Sequence, residues 1–466
     1  MTTTPQTVGP QLVEALEQAV TPAAVLAEPF ALHEFSHDRS FHHWEPPEAV
    51  VRPRSTAEVA AAVRVCADFG VPVVPRGAGT GLEGGANTTG ESVCIDLSRM
   101  DAVLEVAADD MYARVQAGVM KSALNAAAAG HGLHFPAGPG VDASIGGMAA
   151  TSASGTMAVS CGTVADNVLR LTAVLGDGSV ITTGSAAPKT SAGYDLTRLL
   201  VGSEGTLGII TEVTVRLHPV PEEVAMGIWT MPSLQAAAEL VVTGLRAGVR
   251  FSRVELLDAT TVEALRGYRG FSAPPAPTLM VEFAGAAGEA AALYRRFTAL
   301  AEKAGAAEHS AAEDPDDVGR LWQVRHDALP AALALVPGAS ALPTDVCVPI
   351  SQLPANVIQA RRDVEELGLT APIVGHVGDG NFHVAILLPP GDEQAAERAA
   401  ELNRRLVDRA LAAGGTCTGE HGIGAGKIAS LAAEHASALP AMRAIKAALD
   451  PHGIMNPHKV LPSRSA

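Results

Sequence analysis

The stretch "AVVRPRSTAEVAAAVRVCADFGVPVVPRGAGTGLEGGA", Ala49 to Ala86, decides how the rest of the chain is read. Ala49 to Arg52 reads as a strand. Ser55 followed three residues later by Glu58 is a capping box that starts a helix. Val59, Ala62, Val63 and Cys66 recur at helical spacing, Gly70 ends the helix, and Val71 to Val74 forms the next strand. The unit is β-α-β with a glycine-rich loop after it. That loop contains Gly79-x-Gly81-x-x-Gly84, a literal match to the dinucleotide fingerprint. The fingerprint requires a helix that starts inside the motif and aims its N-terminus at a pyrophosphate. "GGANTTGES" follows here and does not start a helix, so the Rossmann reading fails. The local chemistry survives, because successive glycines let backbone N–H groups converge on an anion.

Two further segments share this character: "PAGPGVDASIGGMAATSASGT" (Pro136 to Thr156) and "GSEGTLGII" (Gly202 to Ile210). All three precede the proline-rich "LHPVPEE" (Leu217 to Glu223), which reads as a domain boundary. Together they suggest one extended cradle for a diphosphate cofactor. "GIGAGKI" (Gly422 to Ile428) resembles a P-loop, but His421 stands for its first glycine and Ile428 for its Ser/Thr, so that match fails. Around these segments, "AVLEVAA", "YARVQAG" and the hairpin "VLRLTAVLGDGSVITTG" read as strands, with a helix at Val119 to Ala129. Beyond the boundary, strands and helices alternate ("AMGIWTM", Ser233 to Ala247, "FSRVELLD", "PTLMVEFAG", Glu289 to Ala304). A preamble to Glu48 carries one helix, Gln11 to Val20, and a polar stretch, "HEFSHDRSFHHW", whose histidines read as surface residues.

At 466 residues the chain has room for two or three domains with real cores. Its 33 Lys and Arg against 50 Asp and Glu give a net charge of −17, which argues against nucleic acid or anionic membrane as a partner. A small anionic substrate would then need a locally basic pocket. Five scattered cysteines without a CxxC pair read as reduced thiols. No basic n-region opens the chain and no run approaches the ~18 apolar residues of a membrane span. A soluble cytoplasmic protein is expected.

"GHVGDGNFHV" (Gly375 to Val384) places two histidines around Asp379-Gly380, a strong hairpin signal. A two-residue turn pairs Val377 with Phe382 and His376 with His383. Two imidazoles so placed make a metal-ligand pair or a hydrogen-bonded couple, or merely sit on a sheet surface.

The order and spacing of "PRGAGTGLEGGA", "CGTVADNV", "SAGYDLTRLLVGSEGTLGIITEVTVRLHP", "TDVCVPISQLP", "GHVGDGNFHV", "GGTCTGEHGIGAGK" and "DPHGIMNPHKVLP" resemble the FAD-linked oxidase family with a vanillyl-alcohol-oxidase (VAO) type flavin domain. Within it they resemble in particular the D-lactate dehydrogenase (cytochrome) type. The resemblance implies an α+β fold: a two-lobed PCMH/VAO-type FAD-binding domain followed by an α+β cap, the FAD-linked oxidase C-terminal domain. It divides the chain into an N-terminal helical segment (1–47), the FAD-binding domain (48–220), a substrate and metal-binding cap (221–448) and a tail returning to the flavin (449–466).

By position, Arg76, Gly77, Ala78, Gly79, Thr80 and Gly81 with Gly84 and Gly85 resemble the family's pyrophosphate loop. Asp142, Ser144, Gly146 and Gly147 resemble the loop along the ribityl chain and ring. Thr163, Glu204, Gly205 and Ile210 fall in motifs that approach adenine and ring, and Asn456 in the tail. The first loop has no histidine, so noncovalent FAD is expected. His376, His383 and Glu420 resemble ligands of a divalent metal (zinc, manganese or iron), His421 a base, and Arg325 in "LWQVRHDAL" the arginine that holds a substrate carboxylate. Without the family, Arg325 reads as a surface helix residue.

The chain departs from the family at Cys161 and His458, near the flavin in relatives. Leu329, Pro343 and Ala385 stand where D-2-hydroxyglutarate-type relatives carry polar residues, which favours a short substrate. The implied activity is FAD- and metal-dependent oxidation of a D-2-hydroxy acid, foremost D-lactate to pyruvate, with electrons passed to a cytochrome, quinone or electron-transfer flavoprotein. Dehydrogenation of D-2-hydroxyglutarate or glycolate, or service as the flavin-bearing subunit of a larger complex, are the alternatives, and a homodimer is compatible with all of them. A flavin-free metallohydrolase would leave the glycine segments unexplained.

Overall fold

In the computed structural model, which describes residues 9–187 and 189–463, the opening stretch folds around its helix, Thr56–Phe69. Ser55 accepts the Glu58 N–H at 3.2 Å, and the Glu58 carboxylate takes the Arg54 N–H at 2.8 Å. Such a cap contributes about 1 kcal/mol. The helix ends where Gly70 turns left-handed at φ 65°. Its buried face (Val59, Ala62, Val63, Cys66) packs with Leu12 and Leu16 of helix Gly9–Ala19 and with Val73, Val93 and Ile95 of the sheet. Each fully buried valine or leucine stabilises by roughly 1.5–3 kcal/mol. An aspartate at Val63 would break this layer.

The two strands of the β-α-β unit are not neighbours. Ala49–Val51 and Val73–Arg76 each pair in parallel with Val93–Asp96, which lies between them, while Val25–Leu26 closes the far edge. All four residues of Val93–Asp96 are buried, so this strand takes the centre, where both its edges are paired. The open edge at Val73–Arg76 is covered by the chain's end. Val73 N–H donates to Ile454 O and Asn456 N–H to Val73 O, both at 2.8 Å. A second, antiparallel sheet runs Val103–Ala107, Tyr112–Gln116, Ile209–Arg216, Val168–Val174 and Val180–Gly184, the last two joined as the hairpin expected around Asp177-Gly178. These sheets belong to one compact unit, made of the residues up to Ser154, Thr163–Val220 and the chain from Glu420 onward.

The other unit comprises Gly155–Gly162 and Pro221–Gly419. Its eight-stranded sheet runs Ala307–Ala312, Glu223–Thr230, Thr278–Gly285, Arg253–Leu257, Ile373–Gly375, Asn381–Leu388 and Ser340–Pro343, with Val346–Cys347 also on Asn381–Leu388. Alternation assigns the faces. Trp229 and Phe283 turn to helix Glu289–Lys303, where Phe297 stacks edge-on against Trp229 at 4.9 Å. Met226, Ile228, Met280 and Leu257 turn the other way, under Val318 and Trp322 of helix Pro315–His326.

The histidine hairpin differs from its expected register. Val374, not His376, lies opposite His383. The turn is longer than two residues, because its last residues are claimed by a third strand: Val348 N–H donates to Gly380 O at 3.0 Å and Asn381 pairs with Cys347. The slip is two residues, so face parity is kept and both histidines still share one face as diagonal neighbours.

Candidate active site

The glycine loops meet within the first unit. The loop after Val73–Arg76 lies so close to the second loop that a Cβ on Gly77 would collide with Ser144 Oγ. Only glycine permits that approach. Ser144 accepts the Gly147 N–H at 3.3 Å and starts helix Ile145–Ala150, while Gly146 leaves no room for a Cβ against Ala117. Arg76 turns its guanidinium back over Gly79 and donates to His37 O. Ala78 is exposed and Thr80 half-buried, so this part of the loop remains accessible. The "HEFSHDRSFHHW" stretch is not the free surface that was expected. Ser36 and Asp38 are buried, Asp38 Oδ2 lies at the Gly81 backbone, and His37 stacks on Trp44 at 4.7 Å. Of its four histidines, His33 and His43 are exposed, whereas His42 faces Glu83 at 3.6 Å.

A third group gathers at the chain's end. Asn456, at φ 41°, donates from Nδ2 to Gly85 O at 2.9 Å and Glu204 O at 2.7 Å. Its Oδ1 is buried without a hydrogen-bond partner among the described residues. Such an orphan acceptor beside a small-residue loop suits a polar ligand edge. Gly205 packs its backbone on Pro75. Asp142 stands apart: its carboxylate takes Ser122 N–H and Oγ–H at an exposed helix start. Thr163 is likewise tied to Asp166, and Ile210 is a core residue of its strand. The Glu204 carboxylate accepts Ile423 and Gly424 N–H groups, and Lys427 pairs with Glu83 at 3.1 Å. Burial lifts Glu204 to about 7, against the pull of those two N–H groups and of Lys427.

In the second unit one carboxylate organises the chemistry. Glu255, fully buried on the strand "RVELL", accepts Arg325 Nε at 2.7 Å and faces His376 Nδ1 at 2.5 Å. Register explains both contacts. Leu256 pairs with Gly375, which puts Glu255 opposite His376, on the face covered by helix Pro315–His326. Arg325 continues the Val318 and Trp322 stripe of that helix. It is therefore not a surface arginine: its side chain is 13% exposed. Burial raises the Glu255 carboxyl, but His376 and Arg325 outweigh burial and hold it below the usual range. His383 sits with its ring 5.3 Å from that of His376, its Nδ1 facing Thr344 O at 3.0 Å. Each imidazole thus has an acceptor at Nδ1, which fixes the tautomer with Nε2 as the ligating atom. Two such nitrogens are part of the donor set that a divalent metal takes.

Asp345 sits next to this pair. It accepts Asn381 Nδ2, Thr418 Oγ1 and Gly419 N–H, each at 2.8 Å. Glu420 and His421 follow Gly419 directly, with His421 Nε2 3.7 Å from Glu420 Oε1. Pro343 lies opposite Ala385 on the His383 face, whereas Leu329 is 45% exposed. Glu255, Glu83 and Asp38 escaped the sequence reading. A lone glutamate in an apolar strand was the available signal for the first.

No helix among the described residues is long and apolar enough to cross a membrane, and none of the five cysteines is disulfide-bonded. Burial pushes the thiols of Cys66 and Cys94 up to about 12.

Comparison with known proteins gives the family. Residues 47–184 match the model of an FAD binding domain, and residues 220–460 that of the FAD linked oxidases, C-terminal domain. The chain is 45% identical to the "Probable D-lactate dehydrogenase, mitochondrial" of Danio rerio, covering 91% of this chain and 86% of the relative. It is 40% identical to the "D-lactate dehydrogenase [cytochrome], mitochondrial" of Arabidopsis thaliana (91% and 77% covered), and 32% to the "Glycolate oxidase subunit GlcD" of Bacillus subtilis (91% of each). Among solved structures, a 4-ethylphenol oxidase from Gulosibacter chungangensis superposes with a TM-score of 0.78 at 18% identity, covering 97% of each chain. An alkyldihydroxyacetonephosphate synthase superposes at 0.77 and 20%, covering 98% of this chain and 87% of the other. Those two likenesses establish the fold, a two-domain VAO-type architecture. By the matched models and the length of these identities, the chain belongs to the FAD-linked oxidase family and is an FAD-dependent oxidoreductase.

Proposed function

We propose that this enzyme oxidises a D-2-hydroxy acid, foremost D-lactate to pyruvate, and passes the electrons to a cytochrome, quinone or electron-transfer flavoprotein. The observation that carries the reading is the sharing of Glu255 between Arg325 and His376. A 2-hydroxy acid carries its carboxylate and hydroxyl on adjacent carbons. One buried carboxylate here anchors both a cation for the first and a metal-type imidazole for the second. The Nε of Arg325 is held by Glu255, and its two terminal nitrogens present a fork to the substrate carboxylate. On the resemblance to the family, His376, His383 and Glu420 would hold a divalent metal. The loops at Arg76–Gly81, Gly84–Gly85 and Ser144–Gly147, with Asn456, would hold FAD noncovalently. When bound, FAD supplies the two-electron acceptor, and the metal a Lewis acid that lowers the hydroxyl pKa. His421 takes the hydroxyl proton as the hydrogen on C2 departs with its electron pair. The apolar Pro343 and Ala385 beside His383 offer nothing to a second carboxylate, which favours a short substrate.

Glycolate is the second reading, favoured by the Bacillus subtilis relative. The five cysteines, none of them disulfide-linked, suit a reducing compartment, the cytoplasm in our reading. The test is the visible spectrum of the purified protein, followed anaerobically with D-lactate before and after chelation. The yellow colour is expected to bleach with D-lactate, to persist after chelation, and to bleach again when a divalent metal is restored. A flavin that glycolate or D-2-hydroxyglutarate bleaches faster than D-lactate would overturn the substrate. Bleaching indifferent to chelation would overturn the metal.

A further inference from the structure

Four consecutive N–H groups of the loop after His421 are taken up by two glutamates. Ile423 and Gly424 donate to the two carboxylate oxygens of Glu204 at 2.7 and 2.8 Å. Ala425 and Gly426 donate to the Glu83 carbonyl at 2.8 and 3.2 Å. With Gly422 at φ 79° and Gly424 at φ 50°, the first pair forms a backbone nest of the kind that in P-loops receives phosphate. The likeness of "GIGAGK" to a P-loop is therefore physical, although the motif fails as a nucleotide signature. The anion in the nest belongs to the chain itself.

Glu204 is built for that place. It is 7% exposed, and its own backbone is left-handed at φ 50°, a conformation strained for any residue but glycine. Its N–H donates to Ala150 O at 2.8 Å and its carbonyl accepts Asn456 Nδ2. A Cβ on Gly85 or Gly422 would press on its oxygens at 3.0 Å. The cofactor-type motif "GSEGTLG" thus directs its one charged side chain at the loop whose preceding residues are Glu420 and His421.

We infer that Glu204 is a positioning residue, the internal anion of a nest at Ile423–Gly424 that fixes the loop presenting Glu420 and His421. The inference rests on the reading of Glu420 as metal ligand and His421 as base. Two acceptor oxygens matter more than bulk in this role. A neutral amide of the same shape keeps one acceptor and sets its NH2 against the second N–H.

The test uses full-length protein at about pH 8, where the carboxylate is ionised. In Glu204→Gln, kcat is expected to fall about 10- to 100-fold with little change in KM, and metal affinity to fall with it. Glu204→Gly opens the nest without adding backbone strain. Formate should raise the Tm of that variant and recover part of its kcat and metal affinity, with no effect on the wild type. A Glu204→Gln variant with wild-type kcat and metal affinity overturns the inference, and decides the matter should Glu204→Gly not fold. A folded Glu204→Gly variant whose Tm ignores formate also overturns it. A Tm that rises with no recovery of kcat or metal affinity keeps the nest but overturns the positioning role. The Tm response does not depend on the roles of Glu420 and His421. A His421→Ala variant with wild-type kcat would sink the base assignment separately.

Discussion

Replacing Glu255 by glutamine tests the centre of the proposed site. Glu255 has no exposed surface and pairs with Arg325 Nε and His376 Nδ1. The substitution keeps shape and removes charge. Arg325, 13% exposed, would then stay in the interior without its counter-charge, at a cost of about 3–5 kcal/mol. The one amide oxygen cannot serve both Arg325 Nε and His376 Nδ1, so the His376 ring is less firmly oriented and metal affinity should fall about 10- to 100-fold. Urea unfolding of the metal-free protein followed by tryptophan fluorescence reads the first effect, since Trp229 and Trp322 both lie buried in this unit. Competition with a chromophoric chelator reads the second. The double variant Glu255→Gln/Arg325→Met removes both charges and should regain most of the stability. A single Glu255→Gln variant with the wild-type midpoint and wild-type metal affinity would refute the shared-carboxylate argument.

Three further outcomes are expected. Arg325→Lys keeps the charge but not the planar fork, so kcat/KM for D-lactate should drop about 10- to 100-fold; unchanged steady-state kinetics would remove Arg325 from the substrate. Ala385→Arg places a cation on the His383 face, opposite Pro343, and should shift the D-2-hydroxyglutarate to D-lactate ratio of kcat/KM upward by about tenfold; a constant ratio counts against this wall as the specificity surface. Glu204 titrates about 7 in the fold against an ordinary 4.5, with Glu83, Lys427 and Lys459 as the charges around it. Because the folded form holds the proton longer, this group's contribution is full below about pH 4.5 and is lost as pH rises towards 7, roughly 3 kcal/mol in all. The Tm of wild type relative to Glu204→Gln should therefore fall between about pH 5 and about pH 8, and a constant difference would contradict the raised pKa.

Local signals in the sequence carried much of the architecture. The Ser55–Glu58 cap, the helical apolar stripe and Gly70 specify helix Thr56–Phe69 from neighbours alone, and Asp177-Gly178 does the same for its hairpin. Short-range alternation also put His376 and His383 on one face, and this held although the register differs, because the slip is two residues and an even slip keeps parity. The residues after the glycine motif excluded a Rossmann site locally as well, because "GGANTTGES" starts no helix.

What lay beyond the sequence is set by contacts between distant segments. Strand Val93–Asp96 enters between the two strands of the β-α-β unit because the most buried strand needs both edges paired, and no local pattern records edge order. Glu255 looks like a stray acid in an apolar strand until register sets it opposite His376 and a helix stripe brings Arg325 over it. Glu204 reads as part of a cofactor motif, yet its carboxylate fills a nest more than two hundred residues further along the chain. A buried charge is tolerated only where its partners converge, and in this chain those partners are brought together by strand register and loop closure rather than by sequence proximity.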